Sequence, residues 1–209
     1  RDTRGFIYTV GPQEGKLLAL SMRLNLPALG GDFESIDLNY RWEWYRQLPF
    51  SPTSVVATRL AGGIRATNRR RSGVFVLGGV PEQDIVNSVL NNLRAGATGY
   101  LRGFPERSIL GSQFHLLNLE LRQQLVNVER GFATLPLYIR RLHLAALFDG
   151  GNAFDGDVDP GDFRLSVGGA LRADVVFGYF VPGSLDIGYS YGLTNGGVGE
   201  FWMLLTGTI

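Results

Sequence analysis

The sequence predicts an all-β protein: about eight antiparallel strands in up-and-down order, belonging to a transmembrane β-barrel. Three observations lead there. Apolar and polar residues alternate at period two in eight separate stretches, the pattern of strands with one apolar face. Glycine is abundant, at 29 of 209 residues, and aromatics reach 11%, which suits many strands joined by tight turns. The connections also alternate in character. Those near 12, 49–52, 136 and 182 carry proline, whereas those at 27–34, 67–111, 152–162 and 193–200 are Gly- or Asp-rich and one is very long. Short turns on one side and longer loops on the other are the asymmetry of a membrane barrel.

The chain opens on a strand remnant, Phe6–Val10, followed by a turn at Gly11–Gly15. Such a start suggests that the natural chain begins earlier. The first full strand is 17–26, with Leu18, Leu20, Met22, Leu24 and Leu26 opposite Ala19, Ser21, Arg23 and Asn25. The second is 35–45, with Ile36, Leu38, Tyr40, Trp42 and Trp44 opposite Asp37, Asn39, Arg41 and Glu43. Alternation alone fits a soluble sandwich equally well. Two features favour a membrane: strands of about ten residues match a tilted bilayer crossing, and Trp42, Trp44 and Tyr45 at a strand end resemble an interfacial girdle. The third strand, 54–66, sets Val56, Leu60 and Ile64 against Arg59 and Arg65. Its Gly62-Gly63 pair predicts a bend or the close approach of another segment.

A long connection follows, 67–111. It contains the basic run Arg69–Arg71, an apolar Val74–Leu77, and a helical spacing over 81–94 (Ile85, Val86, Val89, Leu90, Leu93) with Pro81 suited to a first turn. So long a connection in a compact β-domain is normally functional. The remaining strands are 112–125 (Leu117, Leu119, Leu121 against Asn118, Glu120, Arg122), 139–151 (Leu142, Leu144, Phe148 against Arg141, His143, Asp149), 163–177 (Leu165, Val167 against Arg164, Ser166, Arg172), 184–192 (Leu185, Ile187, Tyr189, Tyr191 against Asp186, Ser190) and 201–209 (Phe201, Met203, Leu205).

Composition excludes several functions. A net charge of +1 exerts no pull toward nucleic acid, and with no cysteine there is neither a disulfide framework nor a thiolate nucleophile. The chain opens Arg1-Asp2-Thr3-Arg4, without a signal peptide, and no apolar run approaches the roughly 18 residues of a membrane helix. No nucleophile elbow or phosphate loop is present, so no enzymatic activity and no cofactor are expected. Asp155, Asp157 and Asp159 have calcium-loop spacing, but the glycine is displaced to Gly161 and Ser166 stands where a bidentate Glu is needed, so the reading is a solvated acidic loop and no metal. His115 and His143 read as core or lumen residues rather than ligands. Arg69–Arg71 reads as a solvated charge run.

One arginine stands out. Leu101-Arg102-Gly103-Phe104 closes the long connection, and its arginine has no convincing local partner. Glu120 and Asp149 share the polar-face parity of adjacent strands. If the loop folds back onto that face, the three groups form a guanidinium–carboxylate cluster.

These residues resemble the V/I/L-R-G-F/Y loop motif of BamA-type outer-membrane assembly barrels, a superfamily that includes TamA, the two-partner secretion transporters and the organelle import barrels. Val76-Leu77-Gly78-Gly79 is similar to the Gly-Gly segment ahead of that motif. Leu117–Leu121 is similar to the strand after it, and Phe148-Asp149-Gly150-Gly151-Asn152 to the F-x-D-x-G-x-V/A strand end. Phe201–Ile209 sits where the family has its C-terminal insertion signal, although Ile209 replaces the usual Phe or Trp. The resemblance implies that residues 1–209 are the C-terminal half of a sixteen-stranded barrel in a bacterial outer membrane, without its POTRA domains or first eight strands. It implies that Arg102 is held in the lumen by Glu120 and Asp149. It also implies assembly, insertion or translocation of unfolded β-barrel clients, with outer-membrane lipid, lipopolysaccharide and periplasmic accessory proteins as partners. The missing half of the barrel, or a second copy, completes that set. The alternatives are a small pore or anchor barrel and a soluble β-sandwich binding module.

Overall fold

A computed structural model of the chain describes residues 2–4, 13–27, 34–67, 75–80, 99–131, 136–178 and 180–207. It is all-β. The strands are β1 (Asp2–Arg4), β2 (Glu14–Asn25), β3 (Ser35–Leu48), β4 (Ser51–Thr67), β5 (Phe75–Leu77), β6 (Ile109–Gly111), β7 (Gln113–Gly131), β8 (Leu137–Phe154), β9 (Arg164–Phe177), β10 (Val181–Gly192) and β11 (Gly199–Gly207). Eight long strands plus the short β1 form one antiparallel sheet in the order β1-β2-β3-β4-β7-β8-β9-β10-β11. The sheet is not closed: β1 and β11 are its two edges. β5 and β6 form a separate two-stranded ribbon.

The strands run further toward the proline turns than the alternation suggests. β3 and β4 pair out to Leu48 and Ser51, leaving only Pro49-Phe50 as the turn. Pro52 and Pro182 each lie one residue inside a strand, a position where a missing N–H is tolerated. β7 and β8 extend to Gly131 and Leu137, with register shifts at Gln124/Val126 and Asn127/Arg130. The helical spacing at 81–94, the basic run at 69–71, the remnant at 6–10 and Ile209 lie outside the described residues.

Period two divides the sheet into two unlike faces. One carries Leu18, Leu20, Met22, Ile36, Leu38, Leu60, Ile64, Leu121, Leu144, Leu171, Tyr189, Phe201, Met203 and Leu205, all exposed. Leu20 and Phe201 are each 69% exposed. The other carries Asp37, Asn39, Asn118, Glu120, Asp149, Ser166, Arg172, Asp174 and Ser190, all buried. This is the reverse of a solvated sheet, which turns polar residues outward. Among the described residues no second large sheet covers the apolar face, so the two packed layers of a sandwich are absent.

Residues 75–80 and 99–111 of the connection between β4 and β7 lie over part of the polar face. β5 pairs with β6, Leu77 bridges to Gly99, and the segment 99–108 lies over the sheet. An apolar cluster of Ala61, Phe75, Leu77, Leu101, Phe104, Ile109, Phe114 and Leu116 holds it there. The Gly62-Gly63 expectation is met by close approach. The Tyr40 ring lies over Gly62, and Asn39, Phe114 and Phe75 crowd Gly63.

Two residues lie on the face opposite to that expected. Tyr45 was grouped with the tryptophan girdle, but its odd parity turns it to the polar face, where its hydroxyl donates to Glu43 Oε2 at 2.9 Å. His115 shares the parity of Leu117 and so lies on the apolar face. It bonds Tyr40 there, with its Nδ1 3.0 Å from the hydroxyl oxygen across Gly62. His143 does lie on the polar face, 3.2 Å from Asp174.

Candidate functional site

The site is built on β7, β8, β9 and β10, whose polar-face residues the ladder brings into one patch. Asn118 lies opposite Asp149, and Asp149 opposite Ser166. Arg172 lies opposite Asp186. Some of the positions between the charged ones hold small residues. Ala145, Ala170 and Gly168 leave room for long side chains to reach across strands.

Into this patch the loop inserts Arg102, which is 2% exposed. Its Nε and Nη2 donate to the two oxygens of Asp149, both at 2.7 Å. Its Nη1 donates to Glu120 Oε1 at 3.0 Å, and its backbone N–H reaches Asp149 Oδ2 at 3.3 Å. The paired bonds to Asp149 are the forked arrangement that guanidinium and carboxylate geometry favours. Asn118 completes the hold on Asp149, donating to Oδ1 at 2.8 Å. Burial works against the charge on Arg102. The hydrogen bonds and charge of Asp149, with the charge of Glu120, outweigh it, so the guanidinium sits above the ordinary arginine pKa.

The residues beside Arg102 seat the loop. Leu101 and Phe104 are fully buried in the apolar cluster. Gly103 adopts φ +80°, and a Cβ there would lie 2.7 Å from the backbone nitrogen of Gly192. A side chain would therefore meet both backbone strain and a steric block. The Gly103 N–H donates to Glu200 Oε2 at 3.0 Å, and its carbonyl accepts from Val198 N–H at 2.9 Å. The motif is thus tied to the final strand as well as to β7 and β8.

Glu120 accepts from three guanidiniums. Besides Arg102, Arg122 reaches Oε2 at 2.8 Å and Arg172 reaches it at 2.9 Å. Arg172 then donates to Asp186 Oδ2 at 2.5 Å, and Trp202 Nε1 to Asp186 Oδ1 at 3.2 Å. A continuous polar chain runs from the loop across β7, β9 and β10 to β11. The alternating pattern places Arg122, Arg172 and Asp186 on the polar face, but it does not show that they join Arg102, because cross-strand register is set by pairing. Trp202 and Glu200 were missed. Their signal is parity: both are offset by one from the apolar Phe201, Met203 and Leu205.

Phe201, Met203 and Leu205 stand on the exposed apolar face of β11 and take no part in the cluster. Nor does the acidic loop. Asp155 accepts from Ser112 N–H and Asp159 from Gly161 N–H, both at 2.7 Å. Among the described residues no group of three His, Cys, Asp or Glu is arranged to hold a metal ion. The buried ion pairs, capped by apolar contacts, fasten the loop to the sheet. Neither a protein-family model nor a curated protein sequence matches this chain.

Proposed function

We propose that this chain forms part of an outer-membrane β-barrel of the assembly and translocation type, as the C-terminal half of a sixteen-stranded barrel. The observation that carries the reading is Arg102, buried against Asp149 and Glu120 on the polar face of a sheet whose other face is apolar and exposed. An apolar face of this extent calls for an apolar neighbour, and alternating strands of 12 to 19 residues in β2, β7 and β8 are long enough to span a bilayer. On this reading the polar face lines a lumen, the Leu101–Phe104 loop braces it, and Phe201, Met203 and Leu205 meet lipid.

The activity is non-covalent. The free edge of β11 offers unpaired backbone groups on which an incoming strand can form its ladder. The partners are outer-membrane lipid and lipopolysaccharide, unfolded β-barrel clients, periplasmic accessory proteins, and the remainder of the barrel or a second copy. Proteoliposomes carrying the chain are expected to speed the folding of a urea-unfolded outer-membrane barrel over empty liposomes, and Arg102→Ala to remove the gain. Insertion of the chain without any acceleration would leave a pore or anchor barrel as the working model. Failure to enter the bilayer at all would return the chain to the soluble class.

A further inference from the structure

The polar face holds a second feature, separate from the seat of Arg102. A cleft of about 260 Å³ opens between β3 and β7, beside Tyr100. Its floor is Ala57, whose methyl group leaves the β4 ridge low between longer neighbours. Three guanidiniums line it, those of Arg41, Arg59 and Arg122, against the carboxylates of Glu43 and Glu120.

Both carboxylates are already committed. Glu120 accepts from Arg122 and also from Arg102 and Arg172, which lie outside the cleft. Glu43 accepts from the Tyr45 hydroxyl and lies 3.5 Å from Arg41 Nε. Arg59 is different. Among the described residues it has no carboxylate partner. It donates to the neutral Asn118 Oδ1 at 3.3 Å, and its guanidinium lies over the Tyr100 ring, 4.6 Å from the centroid. A guanidinium carries five N–H donors, and among the described residues Asn118 is the one hydrogen-bond acceptor for those on Arg59. The Arg41 Nε is likewise enclosed without a hydrogen-bond partner.

We infer that this cleft is an oxyanion site and that its occupant is a carboxylate held by Arg59 above the Ala57 floor. A planar two-oxygen acceptor matches the guanidinium fork, and one negative charge offsets the excess of one positive charge among the lining groups. The cleft belongs to the polar face and does not depend on whether the opposite face meets lipid. Its carboxylate comes either from a free small acid or from an acidic side chain of a second copy.

The test is the side-chain Nε–H resonance of Arg59 in the folded full chain, titrated with sodium acetate and, at matched ionic strength, with sodium chloride. Acetate is expected to shift it saturably, with chloride giving less than a tenth of the effect. Arg59→Gln should abolish saturable shifts at the remaining cleft arginines, and Arg59→Lys should weaken apparent affinity at least tenfold, because it keeps the charge but loses the fork. Filling the floor with Ala57→Leu should block binding while leaving the Arg102 resonances unchanged. A response independent of protein concentration assigns a free acid. A shift that appears on concentrating the protein, and that acetate reverses, assigns a second copy. Equal effects of acetate and chloride, or no saturable response of either kind, would overturn the inference.

Discussion

Glu120 accepts from three arginines, and Asp149 takes Nε and Nη2 of Arg102 together with Asn118. Networks of this kind do not rank as stabilisers in proportion to their bonds, because desolvation offsets much of the Coulomb gain. Their sensitivity lies in removing one member. Arg102→Ala leaves the Asp149 carboxylate buried without a charged partner, bonded only by Asn118 and the backbone N–H of residue 102, so a loss of about 3–5 kcal/mol is expected in denaturant unfolding. Arg102→Lys should recover only part of it, since a point charge cannot satisfy both Asp149 oxygens. Unfolding midpoints for both variants that match wild type would contradict the role of the cluster. Further along the chain the stakes are smaller. Trp202→Phe deletes one hydrogen bond to Asp186 and should cost about 0.5–1.5 kcal/mol in the same measurement. The parity of Asn118, Glu120 and Asp149 was legible in the sequence. The link through Arg172 and Asp186 to Trp202 was not, because it depends on the register of four strands, which no single stretch specifies.

At the level of elements, the loop and the final strand form one unit. Gly103 touches the 192–198 connection through backbone atoms and bonds Glu200 at the start of β11. Gly103→Val is therefore expected to unseat the loop. Hydrogen exchange should show lost protection over residues 99–108 and over the β10–β11 ladder together. Loss confined to the loop would mean that the two elements are independent. The long strands were readable from alternation over eight or more residues. β5 and β6 were not, since three-residue strands carry no measurable period. The strand ends were underestimated at Pro52 and Pro182, where proline suggests a turn but the first residues of a strand tolerate it. His115 misled for another reason. A polar residue on the apolar face is contrary to the pattern, and only the empty space above Gly62 lets Tyr40 reach across and bond it.

Over the whole molecule, the two faces of the sheet are inverted, apolar outside and polar buried. Every second residue from Leu18 to Leu24, Ile36 to Trp44, Val56 to Ala66, Leu165 to Val175 and Phe201 to Leu205 is uncharged, while Arg102, Glu120, Asp149 and Arg172 are buried on the other side. If lipid covers the apolar face, Leu20→Arg should destabilise the protein in vesicles by about 2–4 kcal/mol. The neighbouring Ser21→Arg, of opposite parity, should stay within about 0.5 kcal/mol. Small and equal effects would fit water on both sides. The protein carries its own reporters for a more direct measurement. Of its three tryptophans, Trp42 and Trp44 lie on the apolar face and Trp202 on the polar face against Asp186. Single-tryptophan variants in vesicles should show Trp42 and Trp44 quenched by brominated acyl chains and Trp202 untouched by them. Quenching of Trp42 and Trp44 by aqueous acrylamide, with no response to brominated lipid, would contradict the account.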